Sequence, residues 1–172
     1  MKKLSLFLIL CFLSISVQAN VYEHKATLET ISKTIPQMGN IKCKFKQEKT
    51  LQNIQKPVLS SGDFEFKKND GVYFYTTYPI KSSVSYSGKN YKQINNVVSA
   101  ISNKNFSNLE KEFDFYFEES DSQWRLGLKP KDKELSNYLS QITVEGENYI
   151  RRINIVQKNG NQTTIWFSKE DL

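Results

Sequence analysis

From Phe113 onward the chain alternates. Phe113, Phe115 and Phe117 are interleaved with Asp114, Tyr116 and Glu118, and Trp124, Leu126 and Leu128 with Gln123, Arg125 and Gly127. Ile153 and Ile155 share the parity of Tyr149 and Arg151. Successive side chains of a strand point to opposite faces, so each run marks an extended segment with one apolar face. The separators are short and made of turn residues: Asn69-Asp70-Gly71, Ser87-Gly88-Lys89-Asn90, Gly146-Glu147-Asn148 and Asn159-Gly160-Asn161. Strands joined this way form an antiparallel meander, hence a sandwich or a barrel. A long sheet with one apolar face must curl or be covered by other elements.

Strands are expected at 41–49, 55–66, 72–78, 82–87, 91–95, 113–118, 123–128, 141–145, 149–157 and 162–168. The available covers are few. Leu28, Ile31 and Ile35 predict a helix over 21–35 that stops before Pro36. Apolar residues at 97, 98, 101, 106 and 109 predict helix within 96–111, and Leu135, Tyr138 and Leu139 within 130–139. One stretch resists the simple pattern. In GDFEFKKNDGVYFYTTYP (62–79), Phe64 and Phe66 alternate with Asp63 and Glu65, but Val72, Tyr73, Phe74 and Tyr75 put apolar or aromatic groups on both faces. Its second face needs a cover or a contact.

Export is written at the start. Lys2 and Lys3 precede an apolar run ending near Ile15, and Val17-Gln18-Ala19 supplies a small-residue cleavage site. Residues 1–19 are expected to be a cleavable signal peptide, leaving one domain over 20–172 in the periplasm. The apolar run is shorter than the roughly 20 residues a membrane-spanning helix needs. Leu10 precedes Cys11, where a lipid-attachment site needs a small residue, so no lipid anchor is expected. Cys43 is then the one remaining cysteine, which excludes an internal disulfide; its place between Ile41 and Phe45 suits a small buried apolar residue.

The formal charge of +6 becomes +4 without Lys2 and Lys3. That surplus is spread along the chain, unlike the clustered basic patch of a nucleic-acid binder, and no nucleic-acid partner is expected. Catalysis is poorly supplied. The single histidine, His24, lies near the expected mature N-terminus, and no metal-ligand spacing or glycine-rich phosphate loop is present. Glu118-Glu119-Ser120-Asp121 offers paired carboxylates for a hydrolase, but reads better as a solvated turn. No catalytic residue, cofactor or metal is assigned, and the chain is expected not to be an enzyme.

The motifs have a recognisable order. Phe45-Lys46-Gln47, Ser60-Ser61-Gly62-Asp63-Phe64-Glu65-Phe66 and Tyr75-Thr76-Thr77-Tyr78-Pro79, followed by Ser87-Gly88-Lys89, resemble the LolA family of periplasmic lipoprotein carriers. The block from Trp124 through Pro130 and Gly146 to the 151–167 strands resembles it too, so the likeness spans nearly the whole expected mature chain. It implies a mainly β (α+β) fold, an incomplete, strongly curved antiparallel β-barrel closed by an N-terminal helix and short middle helices. It further implies a monomeric carrier that shelters acyl chains of a lipoprotein or another lipid, receives them from an inner-membrane ABC exporter and passes them to an outer-membrane acceptor. The family's lid-closing arginine corresponds to Lys68 here, and a lysine lacks the planar five-donor fork. The family's typical carriers continue with another strand beyond the position of Leu172, so this chain is expected to resemble shorter LolA-like proteins that serve other acylated cargo.

The residues expected to line a lipid cavity are Phe45, Phe64, Phe66, Phe74, Phe115, Phe117, Leu126 and Ile153, with Lys68 at the lid. The competing expectation is a periplasmic structural or interaction module with a fully packed β-core and no lipid cargo.

Overall fold

The computed structural model describes residues 20–68, 70–85 and 92–169. The expected signal peptide lies outside the described residues. Nine strands form one antiparallel sheet: β1 (Ile41–Thr50), β2 (Val58–Lys67), β3 (Gly71–Tyr78), β4 (Ser82–Ser85), β5 (Phe113–Ser120), β6 (Gln123–Pro130), β7 (Leu139–Gly146), β8 (Ile150–Gln157) and β9 (Gln162–Ser168). Their order across the sheet is β4-β3-β2-β1-β9-β8-β7-β6-β5, so the sheet stays open, with β4 and β5 at its edges.

The sheet curls strongly. The Phe74 and Phe167 ring centroids lie 6.4 Å apart although β3 and β9 are separated by two intervening strands. In a flat sheet that separation would be about 14 Å. Phe64 reaches Phe167 at 4.6 Å, and Phe45 and Phe64 each meet Phe74 edge-on at 4.9 Å. Four rings from four strands thus fill the hollow of one half of the sheet. A β-bulge at Ser61/Gly62 adds to the bend, and Gly62 is there because an added Cβ would overlap the Tyr75 carbonyl oxygen.

The outer face is polar and held by charge. In β5 to β8 the register pairs Glu118 with Arg125, Arg125 with Glu145, and Glu145 with Arg152, and ion pairs run along the whole row. The second face of the 62–79 hairpin also lies here. Tyr73 and Tyr75 stack at 6.4 Å with nearly parallel rings, and the Lys67 ammonium sits 4.9 Å over Tyr73. Aromatics on both faces of β3 are thereby accounted for: Val72 and Phe74 are buried inside, while the tyrosines form a cation-capped stack outside.

Several expected elements differ. The helix over 21–35 is broken into a 3-10 turn at Val21–Glu23 and α1 (Leu28–Thr34), because the intervening residues do other work. The Ala26 N–H donates to the Phe115 carbonyl and the Phe117 N–H to the His24 carbonyl, which caps the β5 edge; Thr27 then caps α1 through its side chain. The strand expected at 91–95 is instead the start of α2 (Lys92–Asn103), since Ile94 belongs with Val97, Val98 and Ile101 at helical spacing. Helix 96–111 is two helices, α2 and α3 (Ser107–Glu112), and 130–139 shrinks to α4 (Lys133–Ser136). The strand expected from residue 55 begins at Val58, and the end of the 82–87 strand lies outside the described residues. Arg151 does not share the face of Ile153: a register shift between Glu145 and Gly146 leaves Ile150 buried and Arg151 exposed.

Ahead of α1, the chain wraps over the outer face of β6. The Tyr22 hydroxyl donates to the Ile142 carbonyl at 2.9 Å, and the Tyr22 ring lies where a Cβ on Gly127 would sit at 2.8 Å. Burial pushes the Tyr22 phenol up to about 12. The neutral phenol is thus favoured in the folded chain, so this clasp keeps its full stability below pH 10 and loses it as pH rises from 10 towards 12. Tyr22→Phe should flatten that alkaline loss in denaturant midpoints measured against pH. Gly62→Ala should destabilise by about 1–3 kcal/mol through overpacking. Gly39→Ala, where a Cβ meets nothing within 4 Å, should stay within about 0.5 kcal/mol of the parent.

Candidate lipid-binding interior

The concave face of the sheet gathers the expected cavity residues. Phe45, Phe64, Phe66, Phe74, Phe115, Phe117, Leu126 and Ile153 are all buried and all belong to one apolar cluster. They come from six strands on both halves of the sheet, and the alternation of each strand brings them inward. The polar family motif joins them at the rim, where Gln47 and Ser60 face each other across β1 and β2 and the Gln47 amide donates to the Ser60 hydroxyl at 3.1 Å.

The sequence names the N-terminal helix and the short middle helices as covers of this face, and the structure places α1, α2 and α3 against it. β4 and β5 are consecutive in the chain yet form opposite edges of the sheet, and the segment between them carries α2 and α3. Ile94, Val97, Val98 and Ile101 of α2, Leu109 of α3, and Ile31 and Ile35 at α1 are buried against the strands. The i, i+3, i+4, i+7 spacing from Ile94 to Ile101 is the signal that identifies this face once Ile94 is read as helical.

What holds α2 down is almost wholly apolar. Its recorded polar ties to the loop before β1 are the Met38 N–H donating to the Ser102 carbonyl at 3.3 Å and the buried Ser102 hydroxyl donating to the Met38 sulfur at 3.8 Å. The helix ends in a Schellman motif, with Lys104 N–H to the Ile101 carbonyl and Asn105 N–H to the Ala100 carbonyl. Lys104 takes φ 55° there, a left-handed conformation that glycine would adopt more cheaply. Asn103 Oδ1 is buried without a partner. Both features cost stability at the C-terminal end of α2.

Lys68 lies in the β2–β3 turn, exposed, with its backbone N–H donating to Asn40 Oδ1 at 2.8 Å. The same turn meets the first part of α2, where Gly71 at φ 135° approaches Asn95. The lysine side chain therefore stands in solvent close to the start of the cover.

Among the described residues, an apolar void between the sheet and α2, lined by Ile41, Cys43, Phe64, Val98, Ile150 and Phe167, measures about 10 Å³. That is room for a single water at most. Ligand sites run to about 300–1,000 Å³, so this void as it stands is too small for an acyl chain. A separate open groove of about 640 Å³ lies at the β5–β6 hairpin and is polar, including Glu118, Glu119 and Asp121. There Arg125 holds Glu118 at 2.6 Å and Glu145 at 3.2 Å, a structural ion pairing on the outer face.

The profile of the family "Outer membrane lipoprotein carrier protein LolA" matches residues 37–171. The chain belongs to the LolA family. Its structure is similar to that of a LolA superfamily protein from Nitrosomonas europaea, at 12% identity and a TM-score of 0.38 over 84% of this chain and 92% of that one. It is also similar to a DUF1329 family protein from Desulfovibrio piger, at 13% identity and a TM-score of 0.34 over 86% and 90% of the two chains. No curated protein matches the chain. Among the described residues no helix is long and apolar enough to cross a membrane.

Cys43 reports on the cover. Burial pushes its thiol up to about 11, so little thiolate exists near neutral pH, and the side chain lies beneath α2 in the same void as Val98. Mass-spectrometric mapping should find Cys43 labelled far more slowly than an exposed cysteine, with the rate rising when Val98 is shortened to Ala.

Proposed function

We propose that this protein is a periplasmic carrier, exported through a cleaved signal peptide at 1–19, that binds acyl chains of a lipoprotein or another lipid beneath α2. It receives them from an inner-membrane ABC exporter and delivers them to an outer-membrane acceptor, acting as a monomer without catalysis. The observation that carries the reading is the apolar concave face covered by an apolar helix with few polar ties. Membership of the LolA family supports it.

Energetics favour exchange over simple filling. Exposing Ile94, Val97, Val98 and Ile101 costs roughly 6–12 kcal/mol at about 1.5–3 kcal/mol for each side chain. Each methylene buried in their place returns about 0.8 kcal/mol, so roughly 8–15 methylenes balance the opening. One acyl chain is then close to break-even, and several chains bind firmly. Release needs no nucleotide, because the helix recovers its own burial when cargo moves to a tighter acceptor. Lys68, beside the start of α2, is assigned to the rim of the opening, where its ammonium meets helix carbonyls or an anionic headgroup as the cover lifts.

The competing reading, a packed interaction module, is favoured by the small void. One substitution separates the two by probe binding. Ile101→Val weakens the closed cover by about 0.5–1.5 kcal/mol. A carrier should then bind a fluorescent long-chain fatty acid about 2- to 10-fold more tightly while its denaturant midpoint falls. Loss of stability with no probe binding by either protein would favour the packed module.

A further inference from the structure

Seven large hydrophobic side chains are exposed among the described residues, and six lie at one end of the sheet. Tyr75 is the exception, in the outer stack on β3. Ile54 is in the β1–β2 loop, Val58 and Leu59 begin β2, Tyr78 ends β3, Ile80 follows it, and Tyr138 precedes β7. Register places these positions together: Val58 is opposite Lys49 near the end of β1, and Tyr78 is opposite Ser61. Ile80 is 76% exposed and Tyr78 57%. These side chains come from separate loops and strand ends.

Charge is distributed the same way. The β1–β2, β3–β4 and β8–β9 loops at this end carry Lys56, Lys81 and Lys158 and no acid. The opposite end carries Asp70, Asp121 and Glu147 in its turns, beside the carboxylate-lined groove of the β5–β6 hairpin. Three loops of this tip are thus apolar and basic, while the β6–β7 loop beside Tyr138 balances Lys131 and Lys133 with Asp132 and Glu134, and the opposite end sets Lys68 beside Asp70. The apolar tip is tied to the frame, since the Gln52 N–H donates to Asn161 Oδ1 at 3.0 Å and links the β1–β2 and β8–β9 loops.

We infer that this tip docks on the surface of an anionic phospholipid bilayer, with Ile54, Val58, Leu59 and Ile80 entering the interface and Lys56, Lys81 and Lys158 meeting headgroup phosphates. Apolar groups spread over several loops and strand ends suit a partner that has no fixed shape. Tyrosines with one apolar and one polar end suit the headgroup depth. Lysines in three loops that hold no acid match an anionic surface, whereas a second copy of this chain would set like charges together. The inference does not depend on what the interior binds.

The test is flotation of the full protein with vesicles of phosphatidylethanolamine containing phosphatidylglycerol, and with vesicles of phosphatidylcholine alone. Binding is expected to the anionic vesicles, weakening as salt is raised and small on the neutral ones. Lys81→Gln should lower the partition about fivefold. The pair Val58→Asp and Ile80→Asp, both at exposed positions, should lower it at least about tenfold, with an unchanged circular dichroism spectrum and unchanged uptake of a soluble fluorescent fatty acid. Failure of the parent to float with anionic vesicles overturns the inference, as does a charge-reversed tip that floats equally well. Equal loss of flotation and fatty-acid uptake would mean that vesicle binding is capture by the interior, and overturns it too.

Discussion

The structure depends on one contact, the apolar face of α2 against the hollow of the sheet. It follows from topology. β4 and β5 are neighbours in sequence but lie at opposite edges, so the chain between them must pass from one half of the sheet to the other. By carrying Ile94, Val97, Val98 and Ile101 at helical spacing, that connection becomes the cover of the interior. Most of this contact is apolar and non-directional, the exceptions being the ties between Met38 and Ser102 at the end of α2. A core closed by hydrogen-bonded strands would have to sacrifice a ladder to open.

The two halves of the sheet are held by different contacts. On one side Phe45, Phe64, Phe74 and Phe167 interlock edge to face, drawing β1, β2, β3 and β9 into a tight curve. On the other, the Glu118–Arg125–Glu145–Arg152 row fixes register across four strands from outside. The N-terminal segment clamps the β5 edge and the back of β6 before turning inward as α1. The ion-pair row and the N-terminal clasp lie on the outer face and at the β5 edge, away from α2, whereas the phenylalanine cluster lies beneath it.

Much of the sheet is legible in the sequence because the period of two is a strong signal where one face is buried. Phe113, Phe115, Phe117, Trp124, Leu126 and Leu128 all point inward as their parity demands. The reading fails where tertiary bonds override local pattern. His24 and Ala26 give their backbone groups to the β5 edge, which no propensity could reveal, and the helix expected there is split. Ile94 in a Tyr-Lys-Gln-Ile-Asn run looks like part of a short strand until the burial at Val97, Val98 and Ile101 shows its phase. The bulge near Gly146 moves Arg151 outward for the same reason: one extra residue reverses a face, and turn composition does not announce it. The residues expected to line a cavity were readable as inward positions, but the small size of the void between Val98 and the sheet depends on how well the helix fits, which is a property of packing alone.

The central claim is that hydrocarbon displaces α2 from the concave face. Native mass spectrometry of the protein taken from the periplasm, with extraction of whatever travels with it, tests this most directly. The account predicts a fraction carrying an acylated molecule, in which Cys43 is shielded by cargo and the cargo-free fraction has the bare mass. A bare mass throughout, with no acyl chain recovered and none taken up when offered, would contradict it.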